Sequence, residues 1–131
     1  MSYSHEHRNE VHLAGRVTRE ARVNRLPSGD AVASLWIAVK RPPLAVVRPR
    51  RQRVDTVELV AWRASVHDTV SEWREGDLVT VSGALRHRFW QGENGLRSKY
   101  EVEVEDAVLV HRPEPRPGIE AEPEPAGQRA D

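Results

Sequence analysis

Between Gly83 and Trp90 the chain reads Gly83-Ala84-Leu85-Arg86-His87-Arg88-Phe89-Trp90, so a strand built from it puts Arg86, Arg88 and Trp90 on one side. Leu85, His87 and Phe89 fall on the other side, which reads as core. Guanidiniums attract phosphates and an indole stacks on flat rings, so the polar side suits a polyanion that carries bases. The alternative is a solvated face whose arginine stems cover apolar surface while Trp90 caps the end of a barrel.

The same pairing of aromatic and cation recurs. Ala31 to Lys40 alternates, with Leu35, Ile37 and Val39 on one face and Ser34, Trp36, Ala38 and Lys40 on the other. Residues 54 to 64 alternate again, placing Val57, Leu59 and Ala61 inward and Thr56, Glu58, Val60 and Trp62 outward. Between these two stretches, residues 41 to 53 carry Arg41, Arg48, Arg50, Arg51 and Arg53 among three prolines with no acidic residue. A loop so one-sided in a chain of zero formal net charge reads as an anion-binding element rather than an ordinary surface loop.

A chain of 131 residues is one domain. Its charge is unevenly placed: residues 1 to 112 hold 18 Lys and Arg against 15 Asp and Glu, and residues 113 to 131 hold 2 against 5. The balance argues against indiscriminate affinity for polyanions, so any nucleic-acid affinity is local. Arginine supplies nearly all the positive charge, Lys40 and Lys99 being the only lysines. There is no cysteine, which removes disulfides and thiolate metal sites. The polar start of the chain has no apolar signal core, and residues 31 to 39 are too short an apolar run to span a bilayer, so a soluble cytoplasmic protein is expected.

The elements that must position the aromatic and basic residues are short strands. Val11 and Leu13 alternate towards Gly15 and Val17, with a bulge expected at the glycine, and residues 21 to 26 continue the strand. Pro27-Ser28-Gly29-Asp30 is a turn that returns the chain into the second strand. After the third strand, Ser65-Val66-His67-Asp68 has the form of a capping box, and Val66, Val70 and Trp73 follow at helical spacing, making Trp73 a core plug. Residues 78 to 90 and 97 to 110 form the last two strands around a turn at residues 91 to 95. Tyr100, Val102, Val104, Val108 and Val110 are expected on one face, with Glu101, Glu103 and Glu105 outside. The Pro- and Glu-rich residues 113 to 131 have no core-forming pattern and read as a disordered tail. The expected division is a flexible N-terminus over 1–8, a folded domain over 9–112 and that tail over 113–131.

Five strands with one short helix between the third and fourth fit an all-β, partly open Greek-key barrel of the oligonucleotide-binding (OB) type, whose strand-2 and strand-3 face holds ligand. Over residues 9 to 110 the chain resembles the bacterial single-stranded DNA-binding protein family. The resemblance rests on four ordered blocks: Asn9-Glu10-Val11-His12-Leu13-Ala14-Gly15-Arg16-Val17, then Leu26-Pro27-Ser28-Gly29-Asp30-Ala31-Val32-Ala33, then Trp73-Arg74-Glu75-Gly76-Asp77-Leu78-Val79, and the stretch from Gly83 to Trp90. It implies that Trp62 stands where the family has a stacking aromatic on strand 3, and that Arg88 and Trp90 match its Arg and Trp near the end of strand 4. It also implies sequence-nonspecific binding of single-stranded DNA in replication, recombination or repair, a nucleoid-associated location, and a homotetramer, with a dimer as the smaller option. The chain departs from the family at Pro43 and Thr56, where tryptophans are common, and Trp36 lies on the same face. It ends Gln128-Arg129-Ala130-Asp131 rather than in an acidic tip closed by Pro-Phe. The resemblance therefore does not extend to recruitment of repair or replication proteins through that tip, and a divergent or accessory paralogue is expected.

The nucleic-acid-binding set is thus Trp36, Lys40, Arg41, Arg48, Arg50, Arg51, Arg53, Trp62, Arg86, Arg88 and Trp90. No phosphate-binding loop, nucleophile elbow or His-Glu-x-x-His is present, so no enzyme, cofactor or metal site is expected. Two rival readings share these residues. A protein-interaction or assembly subunit would bury the exposed tryptophans against a partner without needing unpaired positive charge, and single-stranded RNA would use the same stacking and phosphate contacts.

Overall fold

The computed structural model describes residues 6–42 and 53–114. The element order is β1 (Val11–Arg25), β2 (Ala31–Lys40), β3 (Val54–Ala61), α1 (Ala64–Ser71), β4 (Leu78–Gly92) and β5 (Gly95–His111). The strands close into a barrel in the order β1-β2-β3-β5-β4. All pairings are antiparallel except a short parallel ladder in which Leu59 meets Val102 and Val60 meets Glu103.

The barrel is closed rather than partly open because β1 serves two neighbours. Its first half pairs with β4 from Val11 to Arg16, and its second half pairs with β2 from Arg16 onward. The strand bends between these halves, but not through a bulge at Gly15: the register shifts lie between Val17 and Arg19 and between Arg19 and Arg22. Gly15 is buried, and a Cβ there would meet the Ala38 carbonyl oxygen, so close approach of β2 accounts for the glycine.

Alternation fills the interior as the pattern of β2 and β3 demands. Leu35 and Ile37 from β2, Leu59 and Ala61 from β3, Val79 and Val81 from β4 and Val102 and Val104 from β5 form one core with Val17. Helix α1 adds Val66 and Val70, followed by Trp73, which is 3% exposed and completes the same cluster. The helix starts one residue before the expected capping box. Arg63 is its N-cap and makes no side-chain cap bond, while Ser65 lies inside the first turn and accepts from the Thr69 hydroxyl through its carbonyl at 3.1 Å. Burial of the Val66 and Val70 stripe, rather than a cap, holds this helix.

A fully buried carboxylate anchors the segment after the helix. Asp77 accepts from the Arg74 backbone N–H at 2.7 Å and from Arg112 Nε and Nη2 at 3.0 and 2.9 Å, while Arg112 also donates to the Glu72 carbonyl at 3.2 Å. The end of β5 is therefore tied to the loop entering β4, and the Arg112 guanidinium holds the Asp77 carboxyl below its usual range.

Two expectations fail at β4 and β5. Glu105 is bulged out, since Ser82 pairs with Asp106 but Gly83 with Val104. The bulge reverses the alternation, so Val108 and Val110 face outward, 55% and 53% exposed, and Ala107 packs on the core instead. Gly83 sits at this point, where a Cβ would meet the Glu103 carbonyl oxygen. Further on, Leu85, His87, Phe89 and Tyr100 are exposed rather than core. Here the β4–β5 hairpin runs past the barrel to its turn at Glu93 and Asn94, and nothing in the described chain covers its inner side. The ring of His87 stacks on Tyr100 at 4.2 Å and tilts against Phe89 at 4.3 Å.

Candidate nucleic-acid interface

Register places the outward residues of four strands on one continuous surface. Trp36 is opposite Glu58, Val60 stands beside Glu103, Arg86 is opposite Glu101, Arg88 opposite Lys99, and Trp90 opposite Arg97. Trp36, Arg86, Arg88 and Trp90 thus share the outer face that alternation assigns them, while Trp62 follows directly on the end of β3 at Ala61. Trp62 and Trp90 are each 39% exposed, which leaves an indole face available, and Trp36 is half-buried with the Arg19 guanidinium 6.0 Å from its ring centre.

The tryptophans are spread along the strands. Val60, two residues before Trp62, lies beside Glu103, whereas Trp90 is level with Arg97. Six residues of strand separate these levels, roughly 20 Å. That span suits a single strand of several nucleotides lying along the face.

The remaining sequence-selected cations are placed as follows. Lys40 is exposed at the end of β2 and has no ion-pair partner among the described residues. Arg41 follows it and grips Asp55, with Nη2 2.8 Å from Oδ1 and Nε 3.0 and 3.1 Å from the two oxygens. This hydrogen-bonded contact raises the Arg41 pKa and lowers that of Asp55. Arg53, half-buried, accepts the Arg41 backbone N–H through its carbonyl at 2.9 Å, so the two ends of the basic loop are pinned side by side. Arg48, Arg50 and Arg51 lie outside the described residues, as does Pro43.

Apart from Lys40, the cations at the centre of this face are not unpaired, contrary to expectation. Arg86 Nη1 donates to Glu103 Oε1 at 2.7 Å, Arg88 Nη1 lies 3.7 Å from Glu101 Oε1, and Lys99 Nζ is 2.9 Å from Glu58 Oε1. Cross-strand neighbours supply these acids, and the pairing is invisible along either strand alone. Lys99 also stands 5.9 Å from the centre of the Trp90 ring. Lys99 and Arg97 stand beside the sequence-selected residues without belonging to that set, although counting back from the turn at residues 91 to 95 sets them opposite Arg88 and Trp90.

Glu101 differs from the other acids of the face. It is 3% exposed, and its Oε1 has no hydrogen-bond donor. Burial raises its pKa, only partly offset by Arg88 and Lys99. Among the described residues no group of three or more His, Cys, Asp or Glu could hold a metal ion. No helix there is long and apolar enough to cross a membrane.

A barrel of this topology with an aromatic and basic outer face can stack bases and contact phosphates, and known proteins share both its sequence and its shape. The chain is 34% identical over 97 residues to the single-stranded DNA-binding protein of Deinococcus radiodurans, covering 73% of this chain and 32% of that one. It is 34% identical over 111 residues to the Bacillus cereus single-stranded DNA-binding protein, covering 84% and 62%. With single-stranded DNA-binding protein B of Bacillus subtilis it shares 30% over 108 residues, covering 82% and 94%. The matches thus span from 32% to 62% of the length of the first two relatives and nearly all of the third. Among solved structures, a Plasmodium falciparum SSB complex with ssDNA superposes with a TM-score of 0.71 at 22% identity, over 85% of this chain and 100% of that one, which establishes the OB fold. The profile of the Single-strand binding protein family matches residues 8–110, nearly the whole of the described barrel, and the chain belongs to that family.

Proposed function

We propose that this protein binds single-stranded DNA with little base preference, bases stacking on Trp62, Trp90 and Trp36 and phosphates meeting Arg86, Arg88, Lys40, Arg41 and Arg53. What supports this reading is that Trp36 from β2 and Arg86, Arg88 and Trp90 from β4 lie on one outer face, with Trp62 39% exposed just past the end of β3. Arg48, Arg50 and Arg51 extend the phosphate track through the basic loop. The binding domain is residues 9–112, with residues 1–8 and the tail 113–131 dispensable for DNA. The protein acts in replication, recombination or repair in the cytoplasm, at the nucleoid.

A homo-oligomer, most simply a tetramer, completes the reading. A closed barrel has no open sheet edge all round, but the β1–β2 ladder starts at Arg16 and leaves residues 11 to 14 laddered to β4 alone. Outward-facing Val108 and Val110 lie on the same side of the barrel, where β4 joins β1 to β5. Pairing with a second copy near β1 would cover both features. Light scattering checks this, and a monomer at working concentration overturns it.

The function is tested by titrating fluorescent oligonucleotides at low salt. Single-stranded DNA is expected to bind at micromolar protein or below and to outcompete duplex. Absence of binding, or equal affinity for duplex, overturns the reading, and a parallel single-stranded RNA arm decides which sugar is preferred.

A further inference from the structure

The row of the outer face between Trp36 and Arg88 holds three carboxylates, and each already has a cation that a phosphate would need. Glu58 holds Lys99 at 2.9 Å, Glu103 holds Arg86 at 2.7 Å, and Glu101 has Arg88 at 3.7 Å. Glu58 and Glu103 each have a cation in direct contact, at 2.9 and 2.7 Å. Glu101 does not: its side chain is 2% exposed, and its Oε1 lacks any donor and relies on the Arg88 guanidinium 3.7 Å away.

We propose that Glu101 is a positioning residue of the binding face: it holds Arg88 in the free protein, gives it up to a phosphate when a single strand binds, and takes up a proton from solvent in the same step. The inference rests on the binding reading above. Its physical basis is electrostatic. A phosphate that draws Arg88, Arg86 and Lys99 towards itself removes the cations that keep Glu101 ionised and adds a negative charge nearby. Every charged group facing Glu101 acts in this balance: Glu58 from β3, Arg86 and Arg88 from β4, and Lys99 with Glu103 from β5 itself. The adjoining part of β2 contributes only uncharged Trp36 and Ala38, opposite Glu58 and Thr56. No histidine shares this row, since His87 stacks on Tyr100 on the opposite side of the hairpin. Burial already raises the Glu101 pKa in the free protein, and loss of its cations to a phosphate acts in the same direction.

By linkage, a group that gains a proton on binding makes affinity rise as pH falls, with log K changing by at most about 1 per pH unit for one proton. The test uses an oligothymidylate, whose base does not take up a proton in this range, at fixed ionic strength from about pH 5 to about pH 8. Wild-type protein is expected to bind several-fold more tightly at the acid end. Glu101→Gln is expected to bind more tightly than wild type at the neutral end and to lose most of the slope, whereas Glu103→Gln keeps it. Calorimetric titration of the wild-type protein in two buffers of different ionisation enthalpy reads the proton uptake directly and needs no variant. A flat wild-type profile with no buffer-dependent heat, or an undiminished slope in a folded Glu101→Gln, overturns the inference. Failure to bind oligothymidylate at every pH instead overturns the binding reading on which it rests.

Discussion

Arg86 is opposite Glu101 on the neighbouring strand but reaches diagonally to Glu103, donating from Nη1 to Oε1 at 2.7 Å. A cation the face offers to DNA is thus delivered with its own counter-charge, and binding exchanges one oxyanion for another.

That exchange predicts opposite effects for the two partners. Glu103→Gln should tighten binding to single-stranded DNA by up to about fivefold, because an exposed pair is worth about 1 kcal/mol at most. Arg86→Ala should weaken it and reduce the dependence of log K on log salt by about 0.7, the contribution of one phosphate. Neither change should shift the melting temperature by more than about 2 °C, so parallel melts and titrations over salt check both.

In the proposed binding mode the exposed indoles carry the stacking. Trp62→Ala and Trp90→Ala should each cost about 1 to 3 kcal/mol of binding, a loss of about 5- to 150-fold, with the fold intact. Trp36→Ala should cost less, since that ring is half-buried under Arg19. Early melting with normal affinity in the Trp62 and Trp90 variants would mean that bases use another side of the barrel.

Trp73 behaves as the opposite case. It lies in the core with Val66 and Val70 beneath the barrel, so Trp73→Ala should cost about 3 to 5 kcal/mol of stability. DNA affinity measured on the folded fraction should be unchanged, which denaturant titration with and without oligonucleotide resolves.

Asp77 sets the acid limb of stability. Its pKa is lowered in the fold by Arg112, so its contribution is fully present above the unfolded carboxylate range and is lost as pH falls through the folded value. Asp77→Asn should lower the neutral-pH melting temperature by roughly 10 °C, from about 2 kcal/mol of charge-assisted hydrogen bonding, and should flatten the decline in strong acid. A chain truncated after Arg112 should melt as the full chain does, whereas one truncated after His111 should melt earlier. Thermal melts over pH read both effects.

Period-2 alternation in β2 and β3 was enough to separate Leu35, Ile37 and Leu59 from Trp36 and Trp62, because one wall of a small barrel must be dry and the other wet. Helical spacing found Trp73 for the same reason. What the sequence hid depends on neighbours far away along the chain. A single bulged residue, Glu105, turned Val108 and Val110 outward, and no local signal marks it. Leu85 and Phe89 look like core by parity, yet the hairpin carrying them extends beyond anything that could cover them. The arginines looked free in sequence because their acids come from the adjacent strand, and the turn register needed to pair them is a tertiary fact. The fold and the exposure of Trp62 and Trp90 were therefore legible, and the cross-strand electrostatics were not.

The hairpin beyond the barrel gives the face two mechanical parts. Trp36 rides on the closed wall and Trp62 just past the end of β3, while Arg88 and Trp90 ride on a two-stranded ribbon braced by its own cross-strand pairs, the His87 contacts with Tyr100 and Phe89, and the single Lys99–Glu58 ion pair to β3 among the described residues. A ribbon of two strands opens far more readily than a barrel wall, so its amides should exchange with solvent well ahead of those at Val79 and Leu59. The distance between Trp36 and Trp90 is thus an adjustable one, set by a caliper with one fixed jaw and one compliant jaw.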